Sequence, residues 1–179
     1  MLTLPKPIAF GRKNEEKACK SYVNYMIDNG HLGLQTEKFG FVVHPEKCWL
    51  GASPDAWVTD PSVTASSGIA EFKCPYTKAT LLPQEACNDK DFCCSVISGK
   101  IQLKRNHAYY DQVQLQLYVA NDLCSWCDFC VYTYCGVAVE RIYPDTKWQD
   151  IKIPQLQNYF YQHMLPELVN PQHKPSYYL

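Results

Sequence analysis

The chain has 179 residues, a formal net charge of −1, 46% hydrophobic and 13% aromatic residues. That is enough for one domain with a proper core, and it excludes both a disordered segment and a globally basic nucleic-acid binder. No uncharged run reaches the roughly 18 residues that a membrane helix needs, and the start, MLTLPKPIAFGRKNEEK, has no apolar leader segment. An intracellular protein, cytoplasmic or nuclear and not secreted, with no membrane partner, is therefore expected. Its ten cysteines are read as reduced thiols rather than a disulfide framework.

In chain order, RKNEEKACKSYVNYMIDNGH predicts a helix with Ala18, Tyr22, Tyr25 and Met26 inward and a stop at Asn29-Gly30. KFGFVVHP and CWLGASPDAWV predict two strands joined by the turn HPEK, followed by the loop DPSVTASSG and a strand IAEFKCPY that Pro75 ends. Residues 77–107 are polar and irregular, with room for a short helix. HAYYDQVQLQLYVANDL predicts a helix burying Val113, Leu117 and Ala120. WCDFCVYTY and VAVERIY predict a hairpin turned at Cys135-Gly136. IPQLQNYFYQHMLPELV predicts a last amphipathic helix with Leu156, Tyr159, Phe160 and Met164 as its inner stripe, and NPQHKPSYYL, residues 170–179, a loose tail. The expected fold is α/β: a single domain over 1–179, with a small mixed central sheet flanked by helices.

Charge in the middle of apolar strands needs explaining, because burying an unpaired ion costs several kcal/mol. Glu71 and Lys73 are two apart and so leave one face of their strand, while Phe72 leaves the other. Asp55 emerges beside them from a Ser-Pro turn. If the two strands pair, Asp55, Glu71 and a main-chain carbonyl form an oxygen-rich site for a hard cation, Mg²⁺ or Mn²⁺, with Lys73 next to a metal-activated water. The bare spacing, Asp then fifteen residues then Glu-x-Lys, equally fits a surface salt bridge. Two basic clusters, one with Arg12 and Lys13, the other with Lys104 and Arg105, suit phosphate contacts or ordinary solvated surface.

Four segments in order decide between these readings by resemblance. GRKNEEKA, GASPDAWV, EFKCP and YYDQVQLQLYV resemble the opening helix, the metal-aspartate segment, the E-x-K-C-P core and the glutamine helix of the PD-(D/E)xK nucleases. The branch is the lambda-exonuclease-like, YqaJ-type viral recombinase nucleases. WCDFCVYT, VERI and LPEL continue the resemblance, which covers about residues 8–169. It implies a restriction-endonuclease-like core and a metal-dependent deoxyribonuclease, exonucleolytic or end-processing, linked to recombination or repair. DNA is the implied partner, and ring-forming relatives leave room for a homo-oligomer.

Carried over by position, Asp55 and Glu71 with the Phe72 carbonyl hold the metal, and Lys73 is the catalytic lysine. Glu15 contacts the metal through water or holds a second ion. Gln112 faces the nucleophile or scissile phosphate, and Gln116 shares its face toward DNA, unless the glutamines form a solvated stripe. The exonuclease relatives carry a 5′-phosphate-holding segment ahead of the opening helix; this chain starts at MLTLPKPIAF, so processive digestion is not part of the expectation. Pro45 and Glu46 stand near where some relatives carry another aspartate, which leaves one ion or two open. The alternative from another class is a non-catalytic nucleic-acid-binding module that keeps the fold.

Cys124, Cys127, Cys130 and Cys135 invite a zinc or iron–sulfur reading. Residues three apart on a strand face opposite sides, so buried structural thiols are the expectation instead.

Overall fold

The computed structural model describes residues 4–171. The chain divides at Pro144 into two compact units. In the first, α1 (Lys6–Asp28) leads into β1 (Gln35–Lys38), β2 (Val42–Val43), β3 (Gly51–Ala52), β4 (Ala56–Thr59) and β5 (Ser67–Lys73). A short 3₁₀ turn over Tyr76–Lys78 and α2 (Pro83–Ala86) follow, then β6 (Cys94–Ile97), β7 (Lys100–Leu103), α3 (Ala108–Val119), β8 (Cys127–Thr133) and β9 (Gly136–Ile142). The main sheet runs β1-β4-β5-β8-β9, with β5 and β8 parallel and the other pairs antiparallel. This is the mixed α/β sheet flanked by helices that the sequence predicts.

α1 begins six residues earlier than the charged segment implies. Pro7 lies in its first turn, where a missing N–H costs nothing. The helix ends where Gly30 takes φ +97°, a conformation glycine adopts without steric penalty. Its inner face is Asn14, Ala18, Tyr22 and Met26, a strict i, i+4 row. Tyr25, expected inward, is exposed, about 100° around the helix from its buried neighbour Met26. The row packs on Ala56, Val58, Ala70, Phe72 and Cys130 of the sheet, and each large side chain so buried contributes about 1.5–3 kcal/mol.

The two predicted strands 38–45 and 48–58 each break in two. β1 and β4 join the main sheet in the register Lys38↔Ala56, and β2 and β3 form a separate small ladder. Pro54, which has no N–H for a ladder, lies in the break between β3 and β4. Within 77–107 the hairpin β6–β7 was not expected. Ser98 (φ +51°) and Gly99 (φ +77°) form its two-residue turn, the left-handed pair that matches strand twist. The β8–β9 hairpin turns one residue earlier than predicted, on Tyr134-Cys135, with Gly136 already paired to Thr133.

A buried charge network ties β8, β9 and α1 together. Arg141 reaches Asp128 through Nε and Nη2, both at 2.8 Å, and Asp60 through Nη1 at 2.9 Å. The Tyr22 hydroxyl donates to Asp128 at 2.6 Å, and His31 Nδ1 lies 2.7 Å from Asp60. The Arg141 guanidinium also stacks 3.5 Å from the Trp126 ring. Both acids thus share the Arg141 charge and are hydrogen-bonded, as buried charges must be.

The second unit holds α4 (Thr146–Tyr159), a π turn over Phe160–Met164 and α5 (Leu165–Val169). Asp145 caps α4 by accepting from the Trp148 amide at 3.1 Å. The π turn, where the Leu165 amide donates to Phe160 O, immediately precedes Pro166. The predicted inner stripe fails: Tyr159 and Met164 are exposed, and Trp148 and Ile153 are the buried residues of α4. The predicted tail lies mostly outside the described residues. Among those described, no helix is long and apolar enough to cross a membrane.

Candidate active site

β5 is buried along both faces, so the alternation of its side chains decides what meets what. Phe72 turns toward α1 and packs 5.6 Å, centroid to centroid, from Tyr22. Glu71 and Lys73 turn the other way, toward α3. Glu71 is only 4% exposed, yet its carboxylate is fully gripped. Oε1 accepts from Lys73 Nζ at 2.6 Å and Gln112 Nε2 at 2.7 Å, and Oε2 accepts from Gln116 Nε2 at 2.7 Å. Gln112 and Gln116 are one helical turn apart, which lets one helix face hold both oxygens. Lys73 Nζ also donates to Gln112 Oε1 at 3.0 Å and lies 4.2 Å from the centroid of the Tyr109 ring.

Asp55 reaches the same end of β5 from the other strand. Its amide donates to Ala70 O at 3.1 Å, and its Oδ2 accepts from the Phe72 amide at 2.7 Å. Burial, and then the charge of Glu71, push its carboxyl up to about 7, against the opposing pull of the Phe72 amide. Glu15 adds to the push and Lys73 offsets part of it. Asp55 and Glu15 line one cavity of about 360 Å³ with Arg12 and Phe72. Lys73 lines another of about 300 Å³ with Cys74, Cys93, His107 and Tyr109.

Among the described residues no three His, Cys, Asp or Glu side chains converge as a metal cluster, so a cation here would rest on two carboxylates and a carbonyl. The donor set fits a hard cation. Burial and the neighbouring charge of Glu71 both raise the Asp55 carboxyl, a strain that a bound cation would relieve, and a carboxylate has about four lone-pair sites. Lys73, Gln112 and Gln116 together leave one of these on Oε2. The Phe72 carbonyl belongs to the backbone between Glu71 and Lys73.

The fold thus brings together Glu15, Asp55, Glu71, Phe72, Lys73 and Gln112. Gln116, expected to face DNA, is instead buried at 3% exposure and serves Glu71. Of the expected phosphate contacts, Arg12 borders the Asp55 cavity and Lys13 is exposed on α1. Lys104 Nζ donates to Lys90 O at 2.6 Å, and Arg105 pairs with Glu140 at 2.6 Å, so both are already engaged within the fold. Gln114 turns away to donate to Tyr143 O at 2.9 Å. Cys130 packs in the α1-side core, whereas Cys127, three residues earlier on β8, pairs in register with Ile69, on the opposite face from Phe72.

Two more residues border the site: Tyr109, which escaped the sequence reading, and His107, which the sequence suggested as a surface histidine. His107 caps α3, its Nδ1 accepting from the Tyr109 amide at 3.1 Å. Burial, aided by Lys104 and Lys73, lowers its pKa and favours the neutral ring that can accept. Tyr109 supplies the aromatic face under Lys73. The signal lay in HAYYDQ, where His107 as N-cap puts Tyr109 three residues ahead of Gln112 on the helix.

Comparison with known proteins bears on the fold and the family. No curated protein matches. An alkaline exonuclease, LHK-Exo, from Laribacter hongkongensis is similar in structure, with TM-score 0.62 and 22% identity over 90% of this chain and 71% of that one. The complex of LHK-Exo with dAMP is similar too, with TM-score 0.64 and 21% identity over 94% of this chain and 76% of that one. At such identities the likeness is one of fold. Residues 3–122 match the family model of the YqaJ-like viral recombinase domain. This span takes in the opening helix, Asp55, the Glu71–Lys73 strand and the glutamine helix, and the chain belongs to that family.

Proposed function

We propose that the chain is a metal-dependent nuclease that hydrolyses DNA phosphodiester bonds, with exonuclease or end-processing action in recombination. One observation carries the reading: Glu71 and Lys73 are held at 2.6 Å on one strand face, with both Glu71 oxygens fixed by glutamine amides, beside an Asp55 carboxyl crowded up to about 7. The family and the exonuclease neighbours support the choice of DNA as substrate.

Asp55, Glu71 and the Phe72 carbonyl would hold Mg²⁺ or Mn²⁺, with Glu15 reaching it through water. When bound, such a cation polarises a phosphoryl oxygen and lowers the pKa of water. An ammonium has three donors. Two of those on Lys73 go to Glu71 and Gln112, and the third orients the attacking water or a phosphate oxygen. Gln112 fixes Lys73 and Glu71 at once, accepting from one and donating to the other, so that neither reorganises as charge develops. Arg12 and Lys13, both exposed on α1, would meet the DNA backbone, where contacts position without reading sequence.

The test is incubation with end-labelled linear and circular DNA in Mg²⁺, in Mn²⁺ and in EDTA, alongside Lys73→Ala. Metal-dependent cleavage by the wild type, reduced by a factor on the order of 10²–10³ in the variant, is expected. DNA binding without cleavage of either substrate would instead favour a non-catalytic binding module.

A further inference from the structure

Outside the carboxylate cluster, the Lys73 cavity has a wall of sulfur. We propose that Cys93 and Cys94 form an oxidisable vicinal dithiol, a modification site that takes hydrogen peroxide and closes reversibly to a disulfide between adjacent residues. Cys93 lies in the bend just ahead of β6, and Cys94 is the first residue of that strand. The bend escapes the alternation that would send neighbouring side chains to opposite faces. Their sulfurs are consequently 3.7 Å apart. Cys93 borders the cavity of about 300 Å³ that also holds Lys73, His107 and Tyr109, which gives a molecule of peroxide's size a way in.

The two thiols have different roles. Either thiol can donate to the other, but only Cys93 borders the cavity. With Cys94 as donor, helped by Lys73 and Lys104, the Cys93 pKa falls below the ordinary thiol value, while that same interaction and burial raise Cys94. Thiolate character marks the attacking sulfur. Cys93 attacks one peroxide oxygen, the O–O bond breaks, and water leaves after one proton is taken up. The resulting sulfenic acid loses its oxygen as a second water when the Cys94 sulfur, shedding its proton, bonds to Cys93. Two thiols give up two electrons, and one peroxide becomes two waters. Adjacent Cα atoms lie about 3.8 Å apart, short of the roughly 4.4–6.8 Å that disulfides prefer. The bridge is therefore strained and easily reduced, as in labile, regulatory disulfides.

Trypsin isolates the pair. Cleavage after Lys90 and Lys100 yields DFCCSVISGK, which contains Cys93, Cys94 and no other cysteine. The folded protein is treated with hydrogen peroxide, alkylated and digested. The expected peptide is two hydrogens lighter and unalkylated, and it returns to the dialkylated form when dithiothreitol precedes alkylation. In Cys94→Ser, Cys93 stops at a sulfenic acid that dimedone traps; in Cys93→Ser, Cys94 stays reduced. Peroxide that leaves this peptide dialkylated while oxidising the exposed Cys48 and Cys135 overturns the proposal, as does dimedone labelling of Cys94 rather than Cys93. The mass readout is independent of the nuclease reading, so an absence of DNA cleavage would defeat that reading and leave this one intact.

Discussion

The main-chain amide of Phe72 donates to the Asp55 carboxylate at 2.7 Å, binding the Ser-Pro turn to the C-terminal end of β5. Burial, and then the charge of the neighbouring Glu71, push the Asp55 carboxyl up to about 7 although this bond pulls the other way. Between about pH 4 and pH 7 the folded chain therefore keeps a proton that the unfolded chain has released, so stability falls as pH rises through that window. Asp55→Asn removes the effect. Its melting temperature relative to wild type is expected to climb from pH 4 to pH 7 and then level off, a gain of about 1–2 kcal/mol once partial exposure is discounted. Mg²⁺ at pH 8 should raise the wild-type value and leave the variant unchanged. A difference that stays constant across pH would show that the Asp55 carboxyl is not raised in the fold.

Gln116→Leu leaves one Glu71 oxygen without its amide. Because Gln116 acts through Glu71, the variant is expected to weaken Mg²⁺ binding roughly tenfold to a hundredfold, with stability lowered by about 1–3 kcal/mol. Metal titration followed by melting temperature separates the two effects. Gln116→Asn, which keeps an amide but is too short to reach, should behave like leucine, and Gln116→Glu should be worse than both because it sets a second carboxylate against Glu71.

Arg141→Met strands Asp60 and Asp128 in the interior, where breaking a buried pair costs about 3–5 kcal/mol, read as a lower urea midpoint. Burial alone would raise the Asp60 carboxyl, but Ser62, Arg141 and His31 together hold it below the ordinary carboxylate value. Its contribution is thus present above about pH 4 and lost as pH falls through the lowered value. Wild type should lose stability on acidification below pH 4 more steeply than Asp60→Asn. Parallel curves would count against the network.

Gly68→Ala tests the packing under Trp126. A Cβ at residue 68 would stand 2.3 Å from the indole ring, which is 1% exposed and whose Nε1 donates to Ala65 O at 2.7 Å. The ring can move only by breaking that bond and leaving Arg141. A loss of about 1–3 kcal/mol is expected, with a red shift of tryptophan emission if the ring is expelled. A neutral substitution would mean that the ring has slack.

What the sequence showed was whatever local periodicity and spacing encode. The Glu71–Phe72–Lys73 alternation, the Gln112–Gln116 turn and the Asn29-Gly30 stop follow from the strand and helix periods, and all three hold. What it hid depends on partners distant in the chain. Asp128 and Arg141 look like ordinary strand charges until the β8–β9 register sets them side by side and Asp60 arrives from a loop. Gln116 seemed a DNA contact because its pattern is polar, and only the parallel pairing of β5 shows that the carboxylate beneath it needs a second donor. The β6–β7 hairpin did carry a signal, the Ser-Gly turn, inside a stretch otherwise too polar to read as strand.

The family match ends at residue 122, whereas the strand that carries Glu71 and Lys73 has its parallel partner at residues 127–133. A fragment cut at that boundary would contain every proposed catalytic side chain and still leave β5 as an open edge, its unpaired amides and carbonyls free to recruit another chain. Assembly of the centre must therefore wait for a connection of more than fifty residues to close, a slow, high-contact-order event. A chain still being synthesised can complete the proposed centre only after its later strands have emerged.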